Sequence, residues 1–104
     1  MTAVQADALR AAAEFIEQHA AAVPEAMVGV GVSGDGHVRI VIGQDCGPVA
    51  ARIRAVAAVA GAAGAPAPSW SALTRSLHSA GELAGHRLSV ATYIYDNEPE
   101  GQPS

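Results

Sequence analysis

Two runs of alternating aliphatic residues, Val28, Val30, Val32 and Val38, Ile40, Ile42, stand on either side of Ser33-Gly34-Asp35-Gly36. Side chains on a strand alternate between its two faces, so the length of the turn decides whether the runs meet on one face or on opposite ones. A two-residue loop would pair even positions with odd ones and set the valine row against His37 and Arg39. A three-residue loop, Gly34-Asp35-Gly36, pairs 32 with 38 and 30 with 40 and places all six aliphatics together. The second arrangement buries more, and it is a common turn in which glycine supplies the left-handed residue. The sequence therefore predicts a hairpin with one apolar face. Its reverse carries Met27, Gly29, Gly31, Arg39 and Val41, a strip of nearly bare backbone. Glycines there suit a plain solvent face or the close approach of another backbone or a ligand.

A helix precedes this hairpin. Leu9, Ala12, Ala13, Ile16, Ala20 and Val23 recur at three- and four-residue steps, with Phe15 widening the stripe, which predicts a helix from Thr2. Pro24 disfavours helical geometry at the residue before it and ends the helix near Ala22. A second helix is expected from about Asp45 to Ala60, capped by Asp45, with Pro48 in its first turn and Gly61 and Gly64 closing it. Its buried stripe is Val49, Ile53, Val56, Ala57 and Ala60. The Ala-, Gly- and Pro-rich stretch 61–69 reads as a short linker inside the domain.

Leu88, Val90, Thr92 and Ile94 alternate with Arg87, Ser89, Ala91, Tyr93 and Tyr95, which predicts a last strand. A weaker strand over Trp70 to His78 precedes it. Gly81 and Gly85 bracket the connection, and a hairpin centred on Glu82 pairs 78 with 86 and 70 with 94. The element order is helix, strand, strand, repeated once (αββαββ). The expected fold is α+β, a four-stranded, mostly antiparallel sheet with two helices packed on one face. Residues 1–95 form one domain, within the usual size range. Residues 96–104 hold no apolar side chain and are expected to be a disordered acidic tail.

Charge and composition narrow the function. The chain carries a formal net charge of −4. All six basic residues are arginines, the coding bias expected of a GC-rich bacterial genome. Without the tail acids Asp96, Glu98 and Glu100 the body is near neutral, so it lacks the basic footprint of a general nucleic-acid binder. No stretch reaches the ~18 consecutive apolar residues of a membrane span. No charged segment precedes an early apolar run, so a cytoplasmic location is expected. A single cysteine, Cys46, excludes an internal disulfide and any multi-cysteine zinc site.

Three places could carry chemistry. Cys46 falls at the start of the second helix, where a thiolate is favoured, but Asp45 adjoins it and no histidine is placed as its base. A plain buried thiol suits the position better. His78, Glu82 and His86 would converge if the hairpin turned at Glu82, and two imidazoles with a carboxylate can hold zinc; two exposed histidines near a turn is the simpler reading. Tyr93 and Tyr95 share a face of the last strand with Arg87, a row able to stack a planar ligand or a base. His19 and His37 read as surface residues. No phosphate-binding glycine loop, nucleophile elbow or catalytic carboxylate pair is present, and no cofactor is implied.

The expectation is thus a small non-enzymatic interaction or regulatory module. It would self-associate, or dock a protein, through the sheet face bearing Met27, Gly29, Gly31, Arg39, Val41, Arg87, Tyr93 and Tyr95. Its rivals are a small-molecule or metal-binding protein or enzyme using Cys46 or His78 and His86, and a single-stranded nucleic-acid binder on the sheet face.

Overall fold

A computed structural model describes residues 1–19, 21 and 28–94. Helix α1 spans Ala3–Gln18, and Thr2 caps it by accepting the Gln5 N–H on its hydroxyl. Its buried positions are Ala8, Ala12 and Phe15, while Leu9 and Ala13 are exposed. The stripe is thus rotated from the expected one. Alanines at the contact let the helix lie close to the sheet, and Leu9 falls to its flank. The helix also stops earlier than Pro24 required, soon after Phe15, its last fully buried residue. A helix this short is held by its packed face, so it ends where packing ends.

Strands β1 (Val28–Val32) and β2 (Val38–Ile42) form the expected hairpin, with Val32 opposite Val38 and Val30 opposite Ile40. A 3-10 turn over Gln44–Cys46 then leads to α2, Val49–Ala62. The expected start at Asp45 is wrong, because Pro48 pushes the residue before it out of helical geometry. Pro48 itself is the N-cap, and no side chain caps the helix. Gly61 stays helical, and α2 buries Val49, Arg52, Val56, Val59 and Ala60. An arginine therefore occupies a stripe position, and Ala57 is exposed.

The last third departs further from expectation. The sheet has five strands, not four: β3 (Ser69–Ser71), β4 (Ser76–Leu83) and β5 (His86–Tyr93) follow α2. The stretch read as one strand over 70–78 is split by a turn at 72–75 that ends on Arg75 with φ 49°. The β4–β5 turn is Ala84-Gly85, both with positive φ, so Leu83 opposes His86 and Glu82 opposes Arg87. Two left-handed central residues match the twist of paired strands, which favours this tight turn over a looser one centred on Glu82. Gly81 belongs to the strand, where the linker crosses it: a Cβ there would lie 2.9 Å from the Ala65 Cβ. The linker is tied down by Ser79 Oγ donating to the Pro66 carbonyl at 2.6 Å.

The strand order is β1-β2-β5-β4-β3, mixed rather than mostly antiparallel, because β2 and β5 run parallel. A parallel pair needs a long crossover, which α2, β3 and β4 supply. Ala8, Ala12 and Phe15 of α1 and Val56 and Val59 of α2 share one core with Val38, Ile40, Ile42, Leu77, Leu88 and Val90. Both helices thus cover the same face, as expected. Among the described residues, no helix is long and apolar enough to cross a membrane.

Candidate functional site on the open sheet face

Strand pairing sets the opposite face in rows. Gly29, Val41, Ala91, His78 and Ser69 lie side by side across all five strands. Gly31, Arg39, Ser89 and Ala80 form the next row, with Arg87 and Glu82 beyond it. Tyr93, Ser76 and Ser71 lie on the other side of the central row. The pairing thus aligns Gly29, Gly31, Arg39, Val41, Arg87 and Tyr93 on one face. Met27 and Tyr95 lie outside the described residues, as does the segment 96–104.

Small side chains dominate this surface, so its relief is low. Gly29, Gly31, Arg39 and Arg87 are exposed, Val41 and Ala91 are half-buried, and Tyr93 is 42% exposed. Among the described residues, neither helix packs here, since both contribute their buried stripes to the other face.

Several polar contacts on this face have defined geometry. His37 Nε2 lies 2.7 Å from Ser89 Oγ, joining the start of β2 to β5. Asp35, in the hairpin turn, accepts from Ser33 Oγ at 2.6 Å, from the His37 backbone N–H at 3.3 Å and from Arg87 Nη2 at 2.6 Å. Those hydrogen bonds, Ser33's first, hold the Asp35 carboxyl down at about 2. The His37 imidazole is pushed below its ordinary value by burial first, then by the Arg39 and Arg87 charges; Asp35 opposes them. Arg39 donates to no carboxylate among the described residues.

These shifts set a pH dependence. A histidine whose pKa is lower in the folded chain binds its proton more readily when unfolded. Its contribution to stability is therefore intact above the unfolded value of 6.5 and is lost as pH falls through the folded value. Asp35 contributes above 3.8 and loses that contribution as pH falls toward about 2. Denaturant midpoints should decline from neutral pH into the weakly acidic range, and His37→Asn should flatten that upper decline. An equal decline in the variant would remove His37 as its source.

The other sequence candidates are dispersed. The register sets His78 opposite Ala91, not His86, so the three proposed metal ligands do not converge. His86 lies on the helix-covered face, with Nε2 2.7 Å from Asp7 Oδ2 of α1. Glu82 instead lines a shallow cleft with Glu14, Phe15 and His19. Its volume of about 280 Å³ is just below the ~300–1,000 Å³ usual for ligand sites. Among the described residues no group of three His, Cys, Asp or Glu side chains could hold a metal ion. Cys46 is half-buried against the core.

Sequence reasoning missed the His37–Ser89 pair because the two residues meet only through the parallel β2–β5 contact. It also missed Arg52, whose place on the α2 stripe, three residues after Val49, is readable from the helical period. Comparison with family models, with curated proteins and with solved structures returns no match.

Proposed function

We propose that this chain is a small cytoplasmic, non-enzymatic interaction module that self-associates through the open face of its sheet. The observation that carries the proposal is the central row Gly29, Val41, Ala91 and His78, low in relief and left uncovered by both helices. A two-fold axis along that row is self-complementary. It would bring the Arg39 row over the partner's Tyr93 row, a favourable cation–aromatic match. Five strands at ~4.8 Å spacing and ~3.3 Å per residue present on the order of 500 Å² per copy. Stable complexes bury about 800 Å² per partner, so the association should be weak and reversible.

Sedimentation velocity over a wide concentration range should show the average mass rising from monomer toward dimer. Val41→Glu should weaken association at least tenfold without altering the circular dichroism spectrum. A mass that stays monomeric at the highest concentration overturns the reading. Single-stranded nucleic acid on the same face has less support, because Asp35 already engages Arg87 and the net charge is −4.

A further inference from the structure

We propose that Arg39, His37 and Ser89 form a binding site for the dianionic head of a phosphate monoester. Parallel pairing sets Arg39 directly beside Ser89 on the open face, and His37 reaches the same hydroxyl at 2.7 Å. When His37 Nε2 carries the proton and donates to Ser89 Oγ, the serine hydroxyl hydrogen is free to donate outward. The anion then meets a planar guanidinium fork on one side and a hydroxyl donor on the other, the combination that suits phosphate oxygens.

Charge accounting points to a dianion. Arg87 is neutralised by Asp35 at 2.6 Å, and Asp35 is also held by Ser33, so this pair neither supplies nor demands further charge. Arg39 has no carboxylate partner among the described residues, and a bound dianion would draw a proton onto His37 against the burial, and the arginine charges, that disfavour it. One guanidinium and one imidazolium balance two negative charges. A phosphate monoester carries close to two at neutral pH, whereas a phosphodiester carries one. The groups facing His37 are Asp35, Arg39 and Arg87, and only the anion changes their balance.

The site does not depend on self-association. Titrations run below the protein concentration at which sedimentation velocity first shows association keep the two proposals separable. The full chain, isotope-labelled, is titrated with inorganic phosphate and with sodium chloride at matched ionic strength. Amide resonances of Arg39 and Ser89 should move saturably with millimolar phosphate and not with chloride. Arg39→Gln should weaken the response at least tenfold. Arg54→Gln, an exposed arginine of α2, should leave it unchanged, and the dispersion of each spectrum confirms folding. Shifts that fail to saturate, that chloride reproduces, or that survive Arg39→Gln overturn the proposal. So does saturation by oligothymidylate alone, which would assign the face to phosphodiesters instead.

Discussion

Arg52→Ala should lower the stability of this chain by about 3–5 kcal/mol, read from chemical denaturation, more than any other single truncation on α2. Arg52 is 1% exposed. Its Nε donates to Thr92 Oγ1 at 3.2 Å, Nη1 to the Gly47 carbonyl at 2.9 Å and Nη2 to the Tyr93 carbonyl at 3.4 Å. Thr92 Oγ1 in turn donates to the Ile42 carbonyl at 2.8 Å. One guanidinium thereby links the end of β2, the end of β5 and the loop entering α2. These are the places where the parallel ladder stops and its backbone groups need other partners.

Truncation removes a buried hydrogen-bonded fork and takes the Arg52 donor away from the fully buried Thr92 hydroxyl. Losing one hydrogen bond to a charged group costs about 1.5–3 kcal/mol, and here several go together with the packing of the stem. Small domains have about 5–15 kcal/mol in total, so the variant should melt roughly 10 °C or more below the parent. Arg52→Met restores the apolar stem without the fork and should recover only part of the loss. A loss under about 1 kcal/mol for Arg52→Ala would show that the bonds to β5 carry little of the fold.

Gly36→Ala should cost about 2–3 kcal/mol, from two separate sources. Gly36 has φ 86°, a conformation in which a Cβ meets the backbone. The added methyl would also lie 2.7 Å from Val4 Cγ1 and 2.9 Å from His86 Nδ1. Neither neighbour yields easily. Val4 is β-branched with a stiff side chain, and His86 is held by Asp7. Around this point α1 docks on the hairpin: Thr2 Oγ1 donates to the Gly34 carbonyl and Gln5 Nε2 to the Val32 carbonyl. Gly34, two positions away in the same turn, has nothing within 4 Å of its notional Cβ. Gly34→Ala should therefore stay within about 0.5 kcal/mol of the parent. Equal losses in the two variants would mean that turn flexibility, not close contact, makes glycine necessary at 36.

The contrast between the two hairpins shows what local pattern can and cannot convey. In the first, both strands carry strong alternation, so only one loop length sets both rows on one face, and Gly34-Asp35-Gly36 was legible. In the second, Ser76–Leu83 holds Leu77, Ser79, Gly81 and Leu83 on its inner face. That row is too weakly apolar to select a register, and Gly81 imitated a turn. A register shifted by five residues along β4 would set His78 opposite His86, where Leu83 stands. In the folded chain one lies on each face of the sheet.

From sequence alone came the two helices, their common face, the register of the first hairpin and the shared face of Gly29, Gly31, Arg39, Val41, Arg87 and Tyr93. These follow from periods of 3.6 and 2, which each segment displays without reference to the rest. Tertiary structure alone decided that β2 lies parallel to β5, and with it the meeting of His37 with Ser89, of Asp35 with Arg87 and of Arg52 with Thr92. Those partners stand 40 or more residues apart. Alternation states which way a side chain points, but it contains no term for which strand becomes its neighbour. That choice belongs to the packing of the whole core.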